Sequence, residues 1–216
     1  VEMPLTKIRL NQFNRISLKK YTTLVMVSGS YNQLNEVDIN KIKKWVENGN
    51  TLITIGSASS WAIKKNIVKE SLVKSKKDSI FSRKRYIDAR ENIGKERIGG
   101  SILSVDLDLT HPLAFGYRDS SIPIYKNNNV FINKTKNHYS SVAIYSKNPH
   151  IDGYVSKKNM KDNINGSSSL IVSSVKSGRA IIFADNPNFR GTWYGTNKLF
   201  LNAIFLGQNI SVPKGQ

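Results

Sequence analysis

The most informative pattern along the chain is a change of hydrophobic period. Residues 21–27, YTTLVMV, form a near-continuous apolar and β-branched run, as expected of a strand buried on both faces. The polar stretch SGSYNQLN follows. Next comes EVDINKIKKWVENG, in which Val37, Ile39, Ile42, Trp45 and Val46 fall near one face of a helix that Gly49 stops. TLITI at 51–55 returns to the buried-strand pattern. Strand, helix and strand over so short a span predict a βαβ unit, hence a parallel pair joined by a right-handed crossover. Further on, SILSVDLDL alternates like a half-buried strand, THPLAFGY turns away, and NVFIN and SSVAIYS read as short strands. SSLIVSSVKSGRAIIFAD reads as a hairpin turning at Ser177-Gly178. TNKLFLNAIFLG reads as an apolar closing helix ended by Gly207, and TKIRL near the start as a short strand. No internal repeat is visible, and residues 1–216 read as a single α/β domain.

The segment 64–97 breaks this rhythm. It holds twelve basic and five acidic residues and reads as helical pieces and loop inserted after the βαβ unit. We expect a mobile, solvated excursion anchored by Ile67, Val68, Leu72, Ile80, Phe81 and Ile87. The whole chain carries 33 Lys and Arg against 15 Asp and Glu, a formal net charge of +18. The lysines are interspersed with Asn and Ser, the pattern of a solvated surface rather than of a nucleic-acid footprint. No run of eighteen apolar residues exists to span a bilayer. The absence of cysteine excludes disulfides, thiolate metal sites and a cysteine nucleophile.

Candidate chemistry is sparse. In TLITIGSASSW a strand runs into a tight turn and a helix, where many α/β enzymes place a nucleophile. Ser57 or Ser59 would need a histidine base and an orienting carboxylate. The Gly-x-Ser-x-Gly elbow is not met, because no glycine follows either serine and Trp61 stands where a small residue is needed. The alternative is that these serines cap a helix starting near Ser59 or Ser60. The three histidines, His111, His138 and His150, lie in turns or polar loops and show no ligand spacing. The densest stretch is GRAIIFADNPNFRGTWYGTNKLFLNAIFLG at 178–207. A buried strand ends there at Asp185, and the loop beyond it lies where open α/β sheets place ligands. Equally, Phe189, Trp193 and Tyr194 can fold back over the sheet while Asp185 and Asn186 stabilise the turn.

That stretch, together with ERIGGSILSVDLDLTHPLAFGY, resembles the C-terminal region of large bacterial zinc carboxypeptidases, carboxypeptidase A-like metallopeptidases with an added class I glutamine amidotransferase-like domain. YTTLVMVSGSYNQLN and KKWVENGNTLITIGSAS fit the same domain, and the resemblance covers nearly the whole chain. It implies a three-layer, flavodoxin-like or amidotransferase-like sandwich with a mostly parallel sheet and an antiparallel C-terminal hairpin. A complete domain of this kind begins with a strand and helix that would lie upstream of PLTKIRL.

The family's zinc motif, His-x-x-Glu with a distant His, is absent here. The resemblance therefore implies no cofactor in this chain, and zinc in an upstream peptidase domain of the same polypeptide, its expected partner. Secretion or placement in the cell envelope would come through that parent. In working amidotransferases a cysteine follows the second of these strands and a His-Pro-Glu turn completes the triad. Here Ser57 falls at the cysteine and Asn186-Pro187-Asn188 at the turn, so Ser57, Asn186 and Asn188 would be degenerate triad positions, without a base near neutral pH.

The expected function is a noncatalytic accessory domain. Its rivals are a serine-dependent hydrolase using Ser57 or Ser59 and a polyanion-binding module using 64–97. The loops at the strand ends supply the candidates for a shallow ligand pocket: Gly29, Ser30, Tyr31, Ser57, Ser59, Asp185, Asn186 and Arg190.

Overall fold

The computed structural model describes residues 4–74 and 83–214. Its strands are β1 (Thr23–Met26), β2 (Thr51–Ile55), β3 (Ser101–Leu107), β4 (Ser121–Lys126), β5 (Ser141–Gly153), β6 (Ser168–Val175) and β7 (Gly178–Phe183). They form one seven-stranded sheet in the order β1-β2-β7-β6-β5-β3-β4. β1, β2 and β7 are mutually parallel, and the ladders from β7 outward to β4 are antiparallel. Five of the seven strands (all but β3 and β6) therefore share one direction. The expected α/β class, parallel βαβ unit and C-terminal hairpin are all present.

Helices α1 (Glu36–Glu47) and α2 (Ser57–Lys64) cover one face of the sheet, and α4 (Tyr194–Leu206) covers the other. The short α3 (Ala89–Lys95) lies in the inserted segment. The side-chain period of two divides the core in two. Leu52, Ile171, Ala180 and Ile182 pack toward α1 and α2, while Ile53, Leu170, Val172, Ile181 and Phe183 pack toward Leu199 and Ala203 of α4. That double burial is why TLITI holds only apolar and β-branched residues: all five β2 residues are buried. α1 begins in a capping box, with Asn35 Oδ1 accepting from the Asp38 N–H at 3.0 Å and Asp38 Oδ2 from the Asn35 N–H at 3.3 Å.

Several local expectations need correction. TKIRL forms no strand; the chain enters a 3-10 stretch at Leu10–Arg15, which buries Phe13. β1 is an edge strand with three of its four residues only half-buried, because no described strand pairs on its outer side. Val37 points to solvent, and its place on the buried face is taken by Asp38, which is held in the capping box. NVFIN contributes only isolated bridges at Ile132, to Leu72 and Ser168. The hairpin turns one residue earlier than expected, at Lys176 and Ser177, since Gly178 already pairs with Val175. Lys176 carries the positive φ of 52°. α2 starts at Ser57, so Ser59 and Ser60 lie within it rather than capping it. Within 64–97, Ile67 and Val68 are buried and Leu72 is half-buried, but Ile87 is 79% exposed and anchors nothing. Ile80 and Phe81 lie outside the described residues.

Glu70 ties this segment to the sheet. Ser173 Oγ donates to its Oε1 at 2.8 Å, and burial pushes the carboxyl above the ordinary glutamate range, with that hydrogen bond opposing. The folded chain therefore holds this proton more tightly than the unfolded chain. The resulting stabilisation is complete below the ordinary glutamate value and is lost as pH rises through the raised one. Glu70→Gln keeps the acceptor and removes the charge. We expect it to raise the thermal midpoint at pH 7 by roughly 1–3 °C and to leave it unchanged near pH 4. Equal melting curves at pH 7 would contradict this.

Candidate functional site

β2 and β7 lie side by side in parallel, with Ile55 opposite Phe183, so the turns that follow them leave the sheet at the same edge. At the first of these turns the chain reverses at Gly56, whose φ of 58° and ψ of −119° place it outside the regions open to ordinary residues. Its N–H donates to the Phe183 carbonyl at 2.9 Å, and α2 starts at the next residue. This is the geometry of a strand-to-helix elbow, in which the strained residue is the one that presents a nucleophile. That residue is Gly56, not Ser57, and it has no side chain. A Cβ there would stand 3.0 Å from Ser28 Oγ.

Ser57 follows in the helix. Its Oγ donates to the Gly29 carbonyl at 2.9 Å, accepts from the Gly29 N–H at 2.8 Å, and lies 3.0 Å from Ser28 Oγ. The hydroxyl thus clips the first turn of α2 to the loop after β1. Ser59 is fully buried, donating to the Phe183 carbonyl at 2.7 Å and 2.9 Å from Thr54 Oγ1. Of the other loop candidates, Gly29 and Ser30 are exposed. Tyr31 turns inward against Trp61, with ring centroids 5.4 Å apart, and donates to the Val27 carbonyl at 2.6 Å. Burial pushes its phenol up to about 12. Tyr31 and Ser59 are therefore core residues rather than walls of an open pocket.

At the second turn Asn186 Oδ1 accepts from the Asn188 N–H at 3.0 Å, and the Pro187 carbonyl accepts from Thr196 Oγ1 at 2.8 Å, fixing the turn to α4. Arg190 is exposed in a left-handed conformation (φ 52°), its guanidinium 5.3 Å from the Phe189 ring. Asp185 faces the interior. Lys126 Nζ lies 3.0 Å from its Oδ1, while Tyr145 OH at 2.5 Å and Ser169 Oγ at 3.0 Å donate to its Oδ2. Lys126 is fully buried and also donates to the Val130 carbonyl at 2.9 Å, with the Phe131 ring 4.9 Å away. Burial pushes the Lys126 ammonium down, against the pull of the Asp185 carboxylate. Burial, reinforced by that carboxylate, pushes the Tyr145 phenol well up. A cavity of about 20 Å³, room for one water, adjoins Asp185, Asn186 and Thr196.

Lys126, Tyr145 and Ser169 were not among the residues singled out from the sequence, although one signal was present. Ile122, Ile124 and Lys126 share a face at period two, and a lysine on the buried face of a strand requires a carboxylate partner. The histidines take no part in either turn. His111 Nδ1 accepts from the Leu113 N–H at 3.1 Å, and burial pushes its pKa down, with Asp108 opposing. His150 Nε2 lies 2.6 Å from the Gly153 carbonyl, and His138 is exposed. Among the described residues no group of three or more His, Asp or Glu could hold a metal ion, and no helix is long and apolar enough to cross a membrane.

The three layers, the parallel β1-β2-β7 core and the elbow define a class I glutamine amidotransferase-like fold. Solved structures share it. A ThuA-like protein from Parabacteroides merdae matches 100% of this chain and 80% of its own, with TM-score 0.55 and 14% identity. PurLQS from Thermotoga maritima matches 88% and 81%, with TM-score 0.53 and 14% identity. A GMP synthase subunit from Thermoplasma acidophilum matches 88% and 74%, with TM-score 0.51 and 14% identity. At this identity the likeness is one of fold. Neither protein-family models nor curated protein sequences match the chain.

Proposed function

We propose that this chain is a noncatalytic, amidotransferase-like accessory module that supports or targets a zinc carboxypeptidase domain of the same polypeptide. The observation that carries the noncatalytic part is glycine at the strained elbow position. A nucleophile there would need a side chain, and a base and orienter at the neighbouring turn. The neighbouring turn offers Asn186 and Asn188, which cannot take a proton near neutral pH, and Asp185 is committed to Lys126. Ser57, the next residue along the chain, has its hydroxyl spent on the backbone of Gly29. The carboxypeptidase context rests on the resemblance of residues 96–117 and 178–207, and placement of the parent outside the cell or in its envelope goes with it.

Two measurements test this reading. A fluorophosphonate probe should leave Ser57 and Ser59 unlabelled under conditions that label a working serine hydrolase; labelling at either restores the hydrolase alternative. In the parent polypeptide, peptidase activity and zinc should both reside upstream, and the present chain purified in metal-free buffer should carry no stoichiometric zinc. One zinc per chain would overturn the assignment.

A further inference from the structure

A second concavity lies further along the same edge of the sheet and is independent of the elbow. β5 runs in the same direction as β7, and its C-terminal half continues past Ser168, its last partner on β6. Between the pairs Val105–Tyr145 and Leu103–His150 its ladder with β3 is broken: one β3 residue stands opposite four on β5. Such a bulge re-aims the side chains it carries, and here it releases residues 146–149 from regular pairing. Facing it is a π-helical turn, Asn159–Ile164, a geometry frequent at functional sites. That turn is held by buried amides: Asn159 Nδ2 donates to the Glu96 carbonyl at 2.7 Å, and Asn163 Nδ2 to Asn159 Oδ1 at 2.7 Å.

Bulge and turn enclose a groove of about 350 Å³. Its wall carries Lys147, Lys157, Lys161 and His150, with Asn148 and Asn165, and among the described residues no carboxylate lines it. None of the three lysines forms an ion pair with a described residue, whereas Lys65, Lys95, Lys126 and Lys176 each do. Like charges brought together in one concavity repel unless an anion sits among them.

We propose that this groove binds a small multivalent anion bearing phosphate or carboxylate groups. The lining decides the class. Among the described residues no Phe, Tyr or Trp lines the groove to stack on a nucleic-acid base, and the one ring present, the His150 imidazole, is held at 2.6 Å from the Gly153 carbonyl. The lining contains no arginine fork and presents point charges with rotatable donors instead. Its volume is that of a small-ligand site rather than of a polymer track, and it sits at the carboxyl end of a strand, where open α/β sheets place ligands.

The test is calorimetric titration of the chain with pyrophosphate and with citrate at constant ionic strength near 0.15 M, where diffuse surface attraction is screened. We expect saturable one-to-one binding of at least one of them; pyrophosphate alone marks a phosphate site and citrate alone a carboxylate site. The exposed pair Lys147→Gln and Lys161→Gln should weaken binding about tenfold or more, since each removes a direct charge contact. The equally charge-reducing pair Lys19→Gln and Lys44→Gln should change it less than about twofold, since Lys19 precedes β1, four strands from β5, and Lys44 lies in the last turn of α1, which meets the start of β7 at the opposite edge of the sheet. Absence of saturable binding to both anions overturns the proposal, as does equal weakening by the two pairs, which would assign binding to the net charge of +18. None of these results bears on labelling at Ser57, so this site and the accessory reading stand or fall separately.

Discussion

Asp185→Ala is expected to destabilise the chain by about 3–5 kcal/mol, and Lys126→Ala by a similar amount, because each leaves the other charge buried without its partner. Lys126 is fully buried and Asp185 nearly so, and the pair is 3.0 Å apart. Loss of the carboxylate also strips Tyr145 OH and Ser169 Oγ of their acceptor. Removing both charges together, as Lys126→Met with Asp185→Leu, should cost clearly less than the two alanine losses added, since no unpaired ion remains. Urea unfolding of the three variants reads this directly. Single losses under about 1 kcal/mol, the range of exposed pairs, would show that the ion pair is not desolvated as described. The network links β4, β5, β6 and the end of β7, so the damage should appear as loss of global stability, not local fraying.

Gly178→Ala is expected to be comparably severe, at about 3 kcal/mol or more, for a reason that is purely steric. A Cβ on Gly178 would fall on the Val46 carbonyl oxygen and 2.6 Å from that of Asn50. Both are main-chain atoms and cannot rotate aside. The hairpin packs tightly on the end of α1 here, with Ser177 N–H donating to the Glu47 carbonyl at 3.3 Å and Arg179 N–H to that of Asn50 at 3.2 Å. Gly94→Ala in α3 is the control. A Cβ there meets nothing within 4 Å, and alanine should gain up to about 1 kcal/mol from helix propensity. If both substitutions proved harmless, the close packing of the hairpin on α1 would be wrong.

These two sites show what a sequence does and does not disclose. β1, α1, β2, the β6–β7 hairpin and α4 were legible because each carries a hydrophobic period over five or more residues, or a turn signal at its end. SIPIYK carries Pro123, which argues against a central strand, and it forms the edge strand β4. NVFIN has strand-like composition but finds only single bridges, an outcome decided by its neighbours in space. Asp185 was visible as a candidate, but its partners Lys126 and Tyr145 lie 59 and 40 residues away along the chain. No local pattern joins residues at such separations. The elbow was placed one residue late for a similar reason. The defining property of Gly56 is a pair of backbone angles, and glycine before a helix reads equally as an ordinary turn.

Pro123 has a further consequence. β4 is the outermost strand at its end of the sheet, and Trp193 Nε1 donates to the Pro123 carbonyl at 3.4 Å. In an antiparallel ladder the N–H and C=O of one residue point to the same side, so Pro123 presents to the outside a carbonyl already engaged and a nitrogen that has no hydrogen. An incoming strand would lose two bonds at the middle of a six-residue edge. At the opposite end β1 offers only four residues. Both margins of the sheet thus resist the strand-on-strand growth that leads to fibrils, a useful property for a chain whose transiently unfolded state would expose runs such as TLITI and SSLIV.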